Sequence, residues 1–385
     1  MTNLMSQLFK EFFQSEKTAG ILLLLATSVS LILANSGFGE AYLGLFKKEI
    51  FGHQILFWIN DALMALFFLL VGLEIERELF AGELRDIKNS MLPIFAALGG
   101  MLVPAALYML FNARTDFATG FGIPMATDIA FSLAILALLG NRIPLSIKIF
   151  LTALAIIDDL GAILLIAFAY NSGLSIIYLS GAGLLIATMW IMRKVGFMKW
   201  WHYILPGIAL WYAIHEAGIH STISGVILAF LIPFKKDDDH CPSFTLQHLL
   251  HKPVAYFILP LFALANTALV ISSESFAALS STLSMGIIFG LVIGKPLGIF
   301  LFCYAAVQTG VARKLPDIEW AHILGVGFLA GIGFTMSIFI SILAFPNETY
   351  INISKLSILM ASFISAGVGY GILRYLFDRK LVSPS

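Results

Sequence analysis

Apolar residues in this chain come in blocks of roughly 17–25, the length a helix needs to cross the hydrocarbon core of a bilayer, with short polar stretches between them. The blocks lie near 19–35, 57–79, 91–112, 121–139, 147–170, 174–192, 201–216, 218–233, 253–271, 284–308, 320–345 and 353–376. The seventh and eighth are separated by almost nothing, so their boundary is the least defined. The pattern predicts an all-α polytopic membrane protein of about 12 transmembrane helices, with one integral membrane domain over residues 1–385.

Composition removes the soluble alternatives. Of the 385 residues, 59% are hydrophobic and 12% charged, where a soluble domain carries about 25% charged residues. The formal net charge is zero, which offers no electrostatic basis for binding nucleic acid. Of the 23 lysines and arginines, 18 fall in segments that share the N-terminal side of the alternation, Arg77, Arg142, Arg193, Lys235, Arg313 and Arg374 among them. Only Lys47, Lys48, Arg114 and Lys355 fall opposite, and Lys295 lies inside a block. The positive-inside rule then puts both termini in the cytoplasm. Residues 1–19 hold no long apolar core, so no cleavable signal peptide is expected. Cys241 and Cys303 form no disulfide or metal framework, and no cofactor motif is present. The polar insert Lys235 to Lys252, with Asp237, Asp238, Asp239, His240 and Cys241, lacks metal-ligand spacing and reads as a solvated loop.

Four ionisable residues break this apolar pattern deeply: Asp128, Asp158, Asp159 and Lys295. Asp158 and Asp159 sit inside an otherwise uncharged run from Ile149 to Tyr170, roughly 33 Å as a helix, so they fall near the bilayer midplane. An unpaired charge there costs at least ~2.5–3.5 kcal/mol, and such groups usually mark ion or proton pathways. Lys295 with one aspartate could merely lock helices together. Three acids against one base do not fit that reading. The two surplus negative charges must be protonated or must hold cations, which is the arithmetic of a cation/proton exchange site. Neighbouring helix positions point about 100° apart. One acid of the pair is therefore expected to face a cation cavity and the other to face Lys295, with Asp159 assigned to the cavity and Asp158 to the lysine.

Two blocks are poorly suited to continuous helix. Asp128 ends Gly120-Phe121-Gly122-Ile123-Pro124-Met125-Ala126-Thr127-Asp128, where glycine, proline and cap residues crowd the start of a span. About two hundred residues later, Gly325, Gly327, Gly331 and Gly333 precede Thr335-Met336-Ser337. Irregular backbone at membrane depth survives only where it is buried or lines a cavity. Paired interrupted segments are the mark of a transporter built from inverted repeats. The triplets at about 91–170 and 284–376 each have the interrupted span in the middle and begin on opposite sides. Two crossed discontinuous helices would bring like dipole ends together. Asp128 is expected to neutralise helix N-termini there and Lys295 to neutralise C-termini. Gly286, Gly290, Gly294 and Gly298 give the Lys295 span one smooth packing face, and Pro296 should bend it.

Weaker signals follow. Glu74, Glu76, Arg77 and Glu78 close the second block, either as a cation-concentrating funnel or as a solvated helix end. Asp61 lies near the other end of that block, and His215 and His220 at the short turn after the seventh.

These motifs are recognisable together. Ala155-Ile156-Ile157-Asp158-Asp159-Leu160-Gly161-Ala162, Ala126-Thr127-Asp128-Ile129-Ala130-Phe131, Ile293-Gly294-Lys295-Pro296-Leu297-Gly298 and Gly331-Ile332-Gly333-Phe334-Thr335-Met336-Ser337 resemble the NhaA family of bacterial Na⁺/H⁺ antiporters over nearly the whole chain. Trp58-Ile59-Asn60-Asp61-Ala62-Leu63-Met64 and Val71-Gly72-Leu73-Glu74 match it as well. The resemblance implies electrogenic exchange of cytoplasmic Na⁺ or Li⁺ for external H⁺ in the bacterial inner membrane, activated at alkaline pH. It makes Asp158 and Asp159 the carriers of Na⁺ and H⁺, Asp128 and Lys295 the charge compensators, and Thr127 a neighbour of the cation path. Glu74, Arg77 and Glu78, with His248 and His251, are the candidates for a cytoplasmic funnel or pH response. Two departures stand out. Phe244-Thr245-Leu246-Gln247-His248 has glutamine where relatives carry an acid, although His248 and His251 remain to titrate. The loop 36–54 also looks too short for the β-hairpin through which relatives form a homodimer.

Two other classes compete. An intramembrane aspartyl protease also needs two aspartates on neighbouring spans, but neither Asp128 nor Asp158 stands in a Gly-x-Gly-Asp pattern. A Na⁺-coupled symporter of an organic anion needs basic groups in its cavity, and Lys295 is the only deep base. The chain is expected to be a transporter and not an enzyme.

Overall fold

The computed structural model describes residues 2–82, 87–140, 143–170, 173–236, 238, 241–314 and 318–382. Asp237, Asp239 and His240 of the polar insert lie outside the described residues. Among those described, nine helices are long and apolar enough to cross a membrane, and the bent pair Trp320–Ala330 and Phe334–Ala344 makes a tenth if counted as one. The remaining apolar blocks, 201–216 and 218–233, hold shorter helices. Ile204–Glu216 has 13 residues and Ile223–Leu231 has 9, roughly 20 and 14 Å of α-helix. A 3₁₀ turn, Trp200–Tyr203, lengthens the first of them. Helix length therefore supports ten crossings, and the figure of twelve rests on the apolar blocks.

The chain divides into two compact units: Met1–Gly39, Asp86–Ala162 and Asn266–Ser385 form the first, Glu40–Arg85 and Ile163–Ala265 the second. In the first unit, the helices Ile87–Asn112 and Thr282–Gln308 meet with almost no side chain between them. A Cβ on Gly99 would overlap the carbonyl oxygen of Gly298, and one on Gly298 would overlap that of Gly99. Gly294 packs on Pro104, Gly290 on Pro124, and Gly286 on Asn112 and Tyr108. The glycine face is thus a backbone contact surface. Pro296 does not break its helix. A π turn, Gly290–Gly294, precedes it, with the Lys295 N–H bonded to the Gly290 carbonyl. The wider turn places the proline where an α-helix starts anew, a position that tolerates its missing N–H.

Both interrupted spans lie in this unit. The first runs as a 3₁₀ helix Ala118–Met125, passes through extended Ala126 to Asp128, and resumes as the helix Ile129–Leu138. The second is bent by 50° between Ala330 and Phe334. Glycine and proline weaken the helical ladder at each break, and the cap residues Thr127, Asp128 and Thr335 sit where it restarts.

The second unit packs the helices Ile55–Phe80, Ile176–Val195, Ile204–Glu216 and Ile223–Leu231 around Leu69, Leu73, Met189, Leu210, Ile214 and Ala229. Its loop corrects one expectation. After the helix Gly39–Lys47, strands Glu49–Ile50 and His53–Gln54 pair antiparallel, so the stretch was long enough for a β-hairpin. Two-residue strands and a two-residue turn need only six positions. Phe51 and Gly52 make that turn with φ of 53° and 80°, as a type I′ hairpin requires.

Candidate functional site

All four deep ionisable groups are buried in the first unit. Asp128 is 2% exposed, Asp158 1%, Asp159 3% and Lys295 0%. The helix Leu145–Ala169 supplies the aspartate pair and Thr282–Gln308 the lysine. Lys295 Nζ lies 2.8 Å from Asp158 Oδ2 and also donates to the Met125 carbonyl, at the end of the 3₁₀ helix. Asp158 Oδ2 faces Thr127 Oγ1 at 2.7 Å. Asp158 Oδ1 accepts no hydrogen bond. Asp158 is the member of the pair in contact with Lys295; Asp159, one position on, interacts with that ammonium electrostatically.

Asp128 has a different environment. Its Oδ1 accepts from the Phe131 N–H at 2.9 Å, and its Oδ2 accepts from the Thr335 N–H at 3.1 Å and the Thr335 hydroxyl at 2.5 Å. One carboxylate therefore caps the starts of two helices, Ile129–Leu138 and Phe334–Ala344, one from each interrupted span. Both ends carry exposed N–H groups and positive partial charge, so a shared anion satisfies them together. The reciprocal bonds are as extensive. The Asp128 N–H donates to the Ile332 carbonyl at 2.7 Å, Ser132 Oγ to Leu329, and Ser337 Oγ to Ile123. Thr127 Oγ1 lies 2.9 Å from the Ala330 carbonyl as well as close to Asp158. Its single proton is shared between two acceptors. Each break supplies the polar partners that the other lacks.

The arrangement sorts the acids chemically. Asp128 is committed to three donors, whereas Asp158 shares one oxygen with Lys295 and Thr127 and keeps a second oxygen without a hydrogen-bond donor. Among the described residues, no group of three or more histidines, cysteines or acids is arranged to hold a metal.

The profile of the Na⁺/H⁺ antiporter 1 family matches residues 10–373. The chain belongs to this family. Curated relatives agree over nearly full length. A protein from Cytophaga hutchinsonii called Na(+)/H(+) antiporter NhaA is 52% identical over 364 residues, covering 94% of each chain. Namesakes from Dechloromonas aromatica and Vibrio cholerae are 53% and 46% identical, over 95% and 96% of this chain and 95% and 98% of theirs. The resemblance read from the motifs thus holds as family membership. An all-α polytopic membrane protein is what the family and the described helices both give.

In the second unit, Glu74, Arg77, Glu78 and His251 lie together. Glu74 hydrogen-bonds with Gln247, Arg77 contacts Glu78 at 3.0 Å, and Arg77 acts electrostatically on Glu74 and His251. His248 instead packs its ring on Phe244. Sequence reasoning left Glu76 among the solvated or funnel acids, yet it is 1% exposed. It accepts from Ser243 Oγ at 3.0 Å and lies 3.9 Å from Arg193. Position gave a signal for this: Glu74 and Glu76 sit about 200° apart on one helix, so both cannot face the same surroundings. Thr335, Ser132 and Ser337 were also given no role. Hydroxyl residues directly around a helix break were the available sign. His215 Nδ1 lies 3.4 Å from Asp61 Oδ2.

Proposed function

We propose that this chain exchanges cytoplasmic Na⁺ or Li⁺ for external H⁺ across the bacterial inner membrane, with two protons entering for each cation extruded. Family membership carries the reading, and the buried surplus of acid over base supplies its chemistry. Asp158 and Asp159 are the carboxylates for which Na⁺ and H⁺ compete. Because one set of oxygens serves both ions, the carrier is loaded with either cation or protons, and that mutual exclusion is what couples their opposite movements. Two protonated carboxyls exchanged for one Na⁺ move one net charge per cycle, which makes the exchange electrogenic.

The surrounding groups have separate tasks in this reading. Asp128 holds the restart of both interrupted spans as an anion, Lys295 compensates Asp158 and the Met125 carbonyl end, and Thr127 lies at the edge of the cation path. Glu74, Arg77, Glu78, His248 and His251 form a cytoplasmic funnel or pH-responsive group. The triplets 91–170 and 284–376 act as inverted repeats whose breaks alternate access, and both termini are cytoplasmic. The hairpin at 49–54, with Ile50 and Phe51 exposed, is the surface for a homodimer.

Everted membrane vesicles with a respiration-driven pH gradient test the exchange. Added Na⁺ or Li⁺ should collapse the gradient and K⁺ should do so far less, while Asp159→Asn should abolish the response. No response of the unaltered protein between about pH 6 and 9, a window bracketing histidine and neutral-range titration, would refute the proposal.

A further inference from the structure

The acids and Lys295 have a place in the exchange; a buried histidine does not. His322 stands in the first turn of the helix Trp320–Ala330, the leading half of the second interrupted span, and is fully buried. Glu319 precedes that helix in extended conformation, and the two residues cap one another. The Glu319 side chain accepts from the backbone N–H of His322, while His322 Nδ1 accepts from the Glu319 N–H at 3.1 Å. Such reciprocal caps usually place Glu or Gln at the third position, where an oxygen accepts whenever the chain is folded. An imidazole nitrogen accepts only while it carries no proton. Once protonated, both ring nitrogens are donors. The Glu319 N–H then faces another N–H, and a positive charge sits on the positive end of the helix dipole.

The far end of this helix is at the ion site. Leu329 and Ala330 offer their carbonyls to Ser132 and Thr127, and Ile332 offers its own to the Asp128 N–H. Eleven residues of helix connect the two ends. We propose that His322 is a proton-operated latch on the second interrupted span. The neutral ring holds the helix start in place, and its protonation releases that start. The carbonyls at the other end then lose register with Thr127, Asp128 and Ser132, and exchange slows on acidification. The inference rests on the antiport reading above and assigns part of its pH response to a residue outside the Glu74–His251 group.

Among the described residues, other charged groups lie near the ring. The His322 ring contacts Phe377 at 5.0 Å, and the charged neighbours of Phe377 on its helix are Arg374, Asp378 and Arg379, with Arg374 and Asp378 paired at 3.6 Å. From the helix Thr282–Gln308, Tyr304 contacts the ring of Trp320 at 5.2 Å, and Ile129–Leu138 carries no titratable side chain. Lys314 lies over the ring of Trp320, and Glu319 is the acid of the latch itself.

His322→Gln keeps an accepting oxygen at the third position without a titrating group. In everted vesicles, the ratio of Na⁺-driven exchange at pH ~6.5 to that at pH ~8.5 should be about twofold higher in H322Q than in the unaltered protein, the change that release of about half the molecules at the lower pH would produce. Superimposable pH profiles would overturn the latch while leaving antiport standing; an unaltered protein inert at every pH would instead sink the antiport reading. Hydrogen exchange of the purified unaltered protein decides the latch without transport or a variant. After correction for intrinsic rates, amides in 320–325 should exchange roughly fivefold faster at pH 6 than at pH 8, the factor a lost helix cap is worth. Equal corrected protection at the two pH values overturns the inference.

Discussion

Lys295→Met separates what the buried ion pair does for the fold from what it does for transport. Lys295 and Asp158 side chains are both 0% exposed and 2.8 Å apart. Removing the lysine leaves a carboxylate in an apolar interior with only the Thr127 hydroxyl facing its shared oxygen. Breaking a buried pair from one side costs about 3–5 kcal/mol. The Met125 carbonyl loses its donor as well, roughly 1 kcal/mol within that total. Large soluble domains lose about 1–2 °C of melting temperature per kcal/mol, by extension of the trend to chains above 250 residues. The single variant should therefore melt about 3–10 °C below the unaltered protein in detergent at pH 8, followed by the fluorescence of its tryptophans. Adding Asp158→Asn removes the orphaned charge and keeps an acceptor for Thr127. The double variant should recover all but the carbonyl's share, with a coupling of at least ~2 kcal/mol. The K295M deficit should also shrink at pH 6, because a proton can replace the ammonium as the neutralising charge. A double variant that melts at or below K295M would refute this account, and so would a K295M protein as stable as the parent.

Thr335→Val keeps the backbone N–H on Asp128 but removes the 2.5 Å hydroxyl bond. A hydrogen bond to a buried charge is worth about 1.5–3 kcal/mol, so T335V should lose stability by that amount and lose exchange activity, with T335S close to the parent in both. Gly298→Ala forces a methyl onto the Gly99 carbonyl and should cost about 1–3 kcal/mol as an overpacked contact; Gly371→Ala, which meets nothing within 4 Å, should be neutral or stabilising by up to ~1 kcal/mol, so equal melting temperatures for the two would count against the close helix contact.

The parts of the fold legible in the sequence were those set by solvent. Apolar blocks long enough to span a bilayer stand out because charged and polar residues are costly inside it, and the same cost made Asp128, Asp158, Asp159 and Lys295 conspicuous. The breaks were legible because glycine, proline and cap residues cluster there. What joins the breaks was not. Nothing in local sequence says that Thr335 reaches Asp128 or that Ser132 reaches Leu329, since those bonds connect segments roughly two hundred residues apart. Pro296 shows the limit of a local rule. The proline stands directly after a π turn over Gly290–Gly294, and the helix runs on through it to Gln308. The hairpin was missed because loop length was judged against a longer relative, while a two-residue turn needs very little chain. Glu76 was misjudged because a run of charges was read as one surface, whereas helix positions about 100° apart put Glu76 in the interior and leave Glu74, Arg77 and Glu78 half-buried.

The exchange of hydrogen bonds between the two breaks also constrains how the protein is made. Ribosomes add ~5–20 residues per second, so the segment containing Asp128 enters the membrane roughly ten to forty seconds before Ile332 and Thr335 exist to meet it. During that interval the Asp128 N–H, the Ser132 hydroxyl and one oxygen of the Asp128 carboxylate have none of their final partners, and the Thr127 hydroxyl has only Asp158. The nascent first triplet must then remain hydrated, shielded by the insertion machinery or held near the interface until translation is almost complete. Truncation anywhere before Thr335 should leave a chain that inserts but stays a substrate for membrane quality control.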